Sequence, residues 1–348
     1  MDHAATTLKI PRAPTMDLST WQEMRTRDPR RLTLGSAQWG MPYGITNRDG
    51  VPDASELATM LSRAREAGVN SIETARGYGE SESRIGRATT PEEGWRVLTQ
   101  LDPEVHQPGL DIAETLEPVS KSIDASRRAL DTDLLPVLML HHFAHRHACG
   151  GRLWRGLLAE RDAGRIGSLG VCTATPEEAW AALEDPDIEV LQVASSLLDL
   201  RLHRQGFFPR ARELGRTIYV HSIFLQGIAQ LAPETLPPFL ADLVAPMQVI
   251  RACASRLGVA PRGLFLAFAR DLPGVHPILA CETDAQLEEL LADWTSDAIE
   301  AAAISQLVDS LPTLDSNALD PSRWKSGGIE AAAHQNQPGS TSVANIPT

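Results

Sequence analysis

Asn70 to Glu80 reads NSIETARGYGE. Ser71 to Thr74 reads as a short strand, and it runs into a loop in which Gly77 and Gly79 flank Tyr78. The chain has only three tyrosines, so this one stands out. A phenol held just past a strand end is a candidate proton donor, because α/β proteins place their chemistry at the C-terminal ends of strands. An isolated tyrosine can equally be a half-buried loop aromatic. The flanking sequence decides which sheet this strand belongs to.

On either side the chain alternates between short apolar runs and amphipathic stretches. Upstream, RLTLGSAQ, Arg31 to Gln38, reads as the first strand. Asp53 or Ser55 then caps a helix through Ala67, which Gly68 stops. Downstream, a short helix covers Ser81 to Ile85, and Arg96 to Leu101 is the third strand. A helix from Pro118 to Leu130 precedes the fourth strand, Leu135 to His142. A helix from Arg152 to Ala163 precedes the fifth, Ile166 to Thr173. Thr175-Pro176-Glu177-Glu178 is a helix start, with a capping hydroxyl, proline at the first helical position and acids at the positive helix end. The sixth strand is Ile188 to Ala194, and the seventh is Thr217 to Ile223. A helix from Pro261 to Arg270 leads to the eighth, Val275 to Ala280. Asp284 opens the last barrel helix, and a further helix spans Ser296 to Leu311. Eight such units in roughly 280 residues predict an α/β fold, a (β/α)8 TIM barrel with an extra C-terminal helix. A doubly wound open sheet fits less well, because no G-x-G-x-x-G follows the first strand. The expected organisation is a loosely ordered leader over 1–30 with a short helix near Leu18 to Thr26, a barrel domain over 31–312, and a disordered tail over 313–348. The tail from Lys325 is rich in Gly, Ser, Asn, Gln and Pro and lacks apolar periodicity.

Composition narrows the partners. The 348 residues are 43% hydrophobic, enough for a sizeable core. A formal charge of -13 and a pI of about 5.2 argue against nucleic acid or an anionic membrane as partner. No apolar run approaches the ~20 residues of a bilayer span, and the N-terminus lacks the apolar core of a signal peptide. Cys149, Cys172, Cys253 and Cys281 are scattered, as in a cytoplasmic protein with reduced thiols. A small-molecule substrate is the expected partner, and the oligomeric state is left open.

In a barrel the functional side chains sit at strand ends. Those positions carry Gln38 and Trp39, Glu73 and Tyr78, Gln100, His141 and His142, Cys172 and Thr173, Gln192, Ser222 to Gly227, and Ala280 to Thr283. Glu73, Tyr78 and His141 can transfer protons or polarise a carbonyl, and they can converge at one mouth. Trp39 either lines a substrate pocket or packs at the core edge. Arg76, inside the Tyr78 loop, either supplies a positive charge and grips an anionic substrate or points to solvent. The spacing His141-His142-x-x-His145-x-His147 fits no standard zinc pattern, so no metal is expected. Cys172 has no cationic neighbour in sequence, which favours inert packing.

Several strings resemble the aldo-keto reductase family. LGSAQWGMPYGITN, Leu34 to Asn47, is similar to that family's first strand and loop. SIETARGYGESESRIG is similar to its second-strand signature, an aspartate followed five residues later by a tyrosine. LMLHH resembles the fourth-strand string that ends in a histidine. IGSLGVCTATPEEA, LQVASSLLDLR and VHSIFLQG resemble the fifth, sixth and seventh strands. The resemblance spans Leu32 to Leu311. It implies reduction of an aldehyde or ketone by NADPH, with Tyr78 as acid and His141 orienting the carbonyl; the candidate substrate-side residues, read from their positions, are Trp39, Arg76 and His142. It also exposes departures. The family's lysine position is Gln100, and its aspartate position is Glu73. Without a cation, an anionic Glu73 raises the phenol's pKa instead of lowering it. Where the family's fifth strand ends in a pair that holds the nicotinamide amide, this chain has Cys172 and Thr173. Gln192 is kept. Ser222, Phe224, Leu225 and Gly227 belong to a loop that can wrap a pyrophosphate. Glu282 stands where a 2′-phosphate is bound and would repel it, while Gln286 matches a polar position and Leu290 replaces an asparagine. The implied cofactor is NADP or NAD, with its absence a further possibility.

Three functions are therefore open. The first is a nicotinamide-dependent reductase of a small carbonyl compound. The second is a non-redox enzyme on the same barrel, a dehydratase, epimerase, lyase or cyclase, using Tyr78, His141 and Glu73 for proton transfer. The third is a non-catalytic binding or regulatory subunit.

Overall fold

The structure is a computed structural model, and it describes residues 27–106, 112–314 and 316–324. The predicted helix at Leu18 to Thr26 and the tail from residue 325 lie outside the described residues.

Eight strands form one closed parallel barrel in chain order: β1 (Thr33–Gly35), β2 (Ser71–Glu73), β3 (Arg96–Gln100), β4 (Leu135–Leu140), β5 (Ile166–Cys172), β6 (Val190–Ala194), β7 (Thr217–His221) and β8 (Val275–Ala280). β8 closes onto β1 with Thr33 opposite Ile278 and Gly35 opposite Ala280. Parallel neighbours need long crossovers, and helices supply them. Asp53 caps Ala54–Glu66 by accepting from the Glu56 N–H at 2.8 Å. Thr175 caps Pro176–Glu184 in the same way. The helix Ala148–Asp162 opens with Cys149, Gly150 and Gly151 all at positive φ, so its continuous part begins at Arg152, as the sequence predicts. The helix Val244–Leu257, between β7 and β8, is absent from the sequence expectations. The predicted extra C-terminal helix is Ala301–Ser310. Beyond it Ser316–Leu319 makes one more helical turn, with Ala318 and Leu319 buried, so packed structure continues past residue 312. Among the described residues, no helix is long and apolar enough to cross a membrane. The four cysteines are free thiols.

Several strands stop earlier than their apolar runs suggest. β1 ends at Gly35 because Ala37–Gly40 coils into a helical turn. β7 ends at His221 because Ser222 takes a left-handed φ of 60°. These early ends decide which side chains face the mouth.

The barrel interior is packed by Leu98, Val137, Met139, Val190, Tyr219 and Ile278. Below it, the buried Arg31 guanidinium donates to the carbonyls of Arg270 (2.9 Å), Leu272 (3.2 Å) and Val275 (3.2 Å), and lies over the Trp294 ring. His276 sits between this arginine and Tyr219, with Nδ1 3.3 Å from the Arg31 carbonyl. Burial first, then the charges of Arg31 and Arg96, drop its pKa to about 3. The folded state thus holds His276 neutral. Its contribution is present above pH ~6.5 and is lost as pH falls toward the folded value. Between pH 7 and pH 5 this residue alone is expected to remove about 2 kcal/mol of unfolding free energy. Urea titrations at the two pH values should show a smaller acid loss for His276→Gln by that amount, and equal losses would refute this origin.

Candidate active site

The C-terminal mouth of the barrel opens into a cavity of about 840 Å³. Its floor is organised by Glu73, the last residue of β2. The Glu73 carboxyl is buried, and its Oε1 accepts three hydrogen bonds: Gln100 Nε2 at 2.7 Å, Tyr78 OH at 3.0 Å and Gln192 Nε2 at 3.3 Å. The donors come from the end of β3, the loop after β2 and the middle of β6. The barrel's closure brings them together across segments far apart in sequence.

The loop that carries Tyr78 is held at both ends. Its start extends the sheet, with Thr74 N–H donating to Leu98 O at 2.8 Å and Arg76 N–H to Gln100 O at 3.2 Å. Its end is tied by buried hydroxyls: Thr74 Oγ1 to Ser81 Oγ at 3.1 Å, and Ser81 Oγ to Ser36 Oγ at 2.6 Å. Gly40 lies directly under the loop, where a Cβ would sit 1.9 Å from the Tyr78 carbonyl oxygen.

Burial raises the pKa of Glu73, while its three hydrogen bonds oppose the rise without cancelling it. Burial also pushes the Tyr78 phenol well above its ordinary value, and the Glu73 charge adds to the push. The Cys172 thiol is raised by the same two causes. His141 also lines the cavity, and burial, reinforced by His142, lowers its pKa, so it is neutral at pH 7. Its Nδ1 is buried with no partner among the described residues. His142 lines the cavity beside it, with ring centroids 5.0 Å apart. Among the described residues, no group of His, Cys, Asp and Glu could hold a metal ion.

Two residues expected at the substrate side are elsewhere. Trp39 is fully buried in the core, with Nε1 donating to Cys281 O at 3.2 Å, because the helical turn after β1 swings it away from the mouth. Arg76 turns under its loop to pair with Glu82 at 2.6 Å. Glu82 is 2% exposed and also accepts from Thr99 Oγ1 at 2.6 Å, so this buried carboxylate needs the guanidinium. Arg76 therefore does not supply the missing cation beside Tyr78.

From Glu73 the cavity extends past Cys172, Thr173 and Gln192 to the loop after β7, and on to Glu282 and Gln286. Gln192 leaves its Oε1 buried with no partner among the described residues, and so does Gln38. Ser222, Leu225 and Gln226 all have positive φ, and Gly227 follows at φ 86°. That loop is clasped to the loop after β1: Gln226 Nε2 donates to Tyr43 OH at 3.0 Å and Thr46 Oγ1 to Gln226 O at 3.2 Å. A Cβ at Gly227 would lie 1.9 Å from Thr46 Oγ1, so the clasp needs glycine there. Phe224 lines the same stretch. At the far end the Glu282 carboxylate is gripped by two amides, Gln38 Nε2 at 2.5 Å and Gln286 Nε2 at 2.8 Å. Leu290 and Glu289 complete that end, with Arg262 paired to Glu289 at 2.6 Å and to Asp293 at 2.5 Å.

Sequence reasoning missed Tyr43, His221, Arg201, Arg262 and Arg323, all of which line the cavity. His221 is the final residue of β7, with Nδ1 2.8 Å from Ser222 Oγ and its pKa pulled down to about 4 by burial. A strand drawn two residues shorter would have placed it at the mouth.

The sequence profile described as the Aldo/keto reductase family matches residues 31–309. Among curated proteins no sequence matches the chain. Among solved structures, an aldo-keto reductase from Bacillus halodurans in its holo form is similar at 16% identity and TM-score 0.65, over 82% of this chain and 93% of that one. The glycerol dehydrogenase of Gluconobacter oxydans is similar at 19% identity and TM-score 0.62, over 90% of this chain and 95% of its own. At these identities the structural likeness establishes the shared barrel, whereas the profile match covers most of the sequence. The chain belongs to the aldo/keto reductase family.

Proposed function

We propose that this oxidoreductase reduces a small carbonyl compound with a nicotinamide cofactor, with NADH preferred over NADPH. The observation that carries the reading is Gln192. Its Nε2 is tied to the Glu73 carboxyl, while its Oε1 is a buried acceptor without a partner among the described residues. One side chain thus joins the proton-handling cluster to a position suited to a carboxamide N–H. The cavity volume also falls within the ~300–1,000 Å³ range of cofactor and ligand sites.

When bound, a reduced nicotinamide supplies the reducing equivalents. The chain's own residues do the rest. Gln192, Cys172 and Thr173 would hold the carboxamide, and the clasped Ser222 to Gly227 loop would hold the diphosphate. Neutral His141 can donate an N–H to the substrate carbonyl, and His142 flanks it. Glu73, Tyr78 and Gln100 form the proton-handling cluster. At the far end the amide-gripped Glu282 carboxylate repels a 2′-phosphate and can accept from ribose hydroxyls. The nearby cation Arg262 is already shared between two carboxylates.

A second reading is favoured by one observation: among the described residues no cation lies against Tyr78, whose phenol is pushed up instead of down. That suits proton chemistry without a nicotinamide. Calorimetric titration separates the two. NADH is expected to bind at micromolar concentration and NADPH at least tenfold more weakly, with Glu282→Ser closing the gap. No binding of either at millimolar concentration would remove the reductase reading and leave the non-redox one.

A further inference from the structure

We propose that Glu73, through its Oε2, is the group that exchanges the proton with the reacting oxygen, and that Tyr78 is its positioning partner. The proposal rests on the reductase reading above and assigns the acid within it.

The geometry of one carboxyl group carries it. All three donors converge on Oε1. Oε2 takes no hydrogen bond from a described residue, and Glu73 lines the cavity, so Oε2 is the oxygen left for a substrate bound there. A carboxyl oxygen that accepts three hydrogen bonds is not the one that carries a proton. In the acid form the proton therefore sits on Oε2, facing the substrate space. Tyr78 spends its own O–H on Oε1 at 3.0 Å, so the phenol turns its proton toward Glu73 and not toward the cavity.

The surrounding charges agree. The titratable groups that face this pair are Cys172 at the end of β5 and Tyr43 in the loop after β1, and His141, just past β4, lines the same cavity; none of them is cationic at neutral pH. The arginines lining the cavity are engaged elsewhere: Arg201 with Asp199 at 2.7 Å, Arg262 with Glu289, and Arg323 with Asp320 at 3.1 Å. Burial therefore favours the neutral acid of Glu73, and nothing nearby makes Tyr78 a better donor.

In the reductive direction the Oε2–H bond breaks, and its proton forms the new O–H bond on the substrate. The electron pair for that bond is the former C=O π pair, and the carbon takes its hydrogen and two electrons from the reduced nicotinamide. Glu73 is left as carboxylate and regains a proton from water once the alcohol leaves.

Infrared spectroscopy of the full-length protein without ligand gives the first readout. In the wild type and in Tyr78→Phe a protonated-carboxyl band is expected to persist to higher pH than an ordinary glutamate allows, and it is absent from Glu73→Gln. The second readout is reduction of 4-nitrobenzaldehyde at saturating NADH across pH 5 to 11. The rate should fall with rising pH as the carboxyl ionises, well before the phenol range. Tyr78→Phe should keep that fall and lose less than tenfold, while Glu73→Gln should lose the fall and about 100-fold or more in rate, the size of a general-acid contribution. If Glu73→Gln fails to fold, Glu73→Asp replaces it and is expected to keep the pH-dependent fall at a lower rate. An acid band that vanishes in the range of an ordinary glutamate, a loss of 100-fold or more in Tyr78→Phe, or a fall that persists in Glu73→Gln overturns the proposal. Failure of the wild type to bind either nicotinamide would instead remove the reductase reading, and the infrared result would stand apart from it.

Discussion

Alanine at position 40 is expected to lower stability by about 3 kcal/mol and turnover by less than about tenfold. The added Cβ would lie 1.9 Å from the Tyr78 carbonyl, 2.4 Å from the Ser81 nitrogen and 2.8 Å from Ser81 Cβ. Two of these three atoms are backbone, so no side chain can swing aside, and the loop itself must move. Glu80 N–H also donates to Gly40 O at 3.4 Å, and that bond goes with the displacement. A shift of ~1 Å in the loop carries Tyr78 away from Glu73, and because Tyr78 only positions that carboxyl, the rate loss should stay within the roughly tenfold limit set for Tyr78→Phe. Urea denaturation and steady-state turnover of Gly40→Ala read both effects. A variant as stable and active as the wild type would show that the loop accommodates the methyl group without moving.

Restoring the family's cation should change the acid. Gln100→Lys brings an ammonium to the place where Gln100 Nε2 lies 2.7 Å from Glu73 Oε1. An opposite charge at that distance favours the carboxylate, so the Glu73 pKa should fall. The same charge lowers the Tyr78 phenol. The expected results are loss of the protonated-carboxyl band at a lower pH than in the wild type and a pH–rate fall displaced upward toward the phenol range. A band unchanged in Gln100→Lys would mean that the ammonium is itself neutralised by burial.

The barrel was legible because its signal repeats: every strand is a short apolar run, and Thr175-Pro176 or Asp53 marks a helix start by local chemistry alone. The site was legible only where strand ends were drawn correctly. Glu73 and Gln100 end β2 and β3, Gln192 lies two residues before the end of β6, and they meet. Trp39 and His221 were misplaced for one reason: an apolar run continues past the point where the backbone leaves the sheet, through a helical turn in one case and a left-handed serine in the other. Arg76 could not be placed from sequence, because its partner Glu82 reads as a surface acid on a short helix and is instead almost fully enclosed. The cationic rim, with Arg201, Arg262 and Arg323, comes from helices and connecting segments that no strand-end rule reaches.

The single oxygen shared by Tyr78, Gln100 and Gln192 has a consequence for how mutational data on this site add up. The three donors arrive from separate parts of the chain but compete for the lone pairs of one atom. Removing any one lets the other two shorten and redistributes the carboxyl's charge, so each measured effect contains part of its neighbours'. Single substitutions will therefore overlap, and double-substitution cycles will show coupling between positions 22 and 114 residues apart in sequence (100 − 78 and 192 − 78). The three residues behave as one functional position distributed over the barrel.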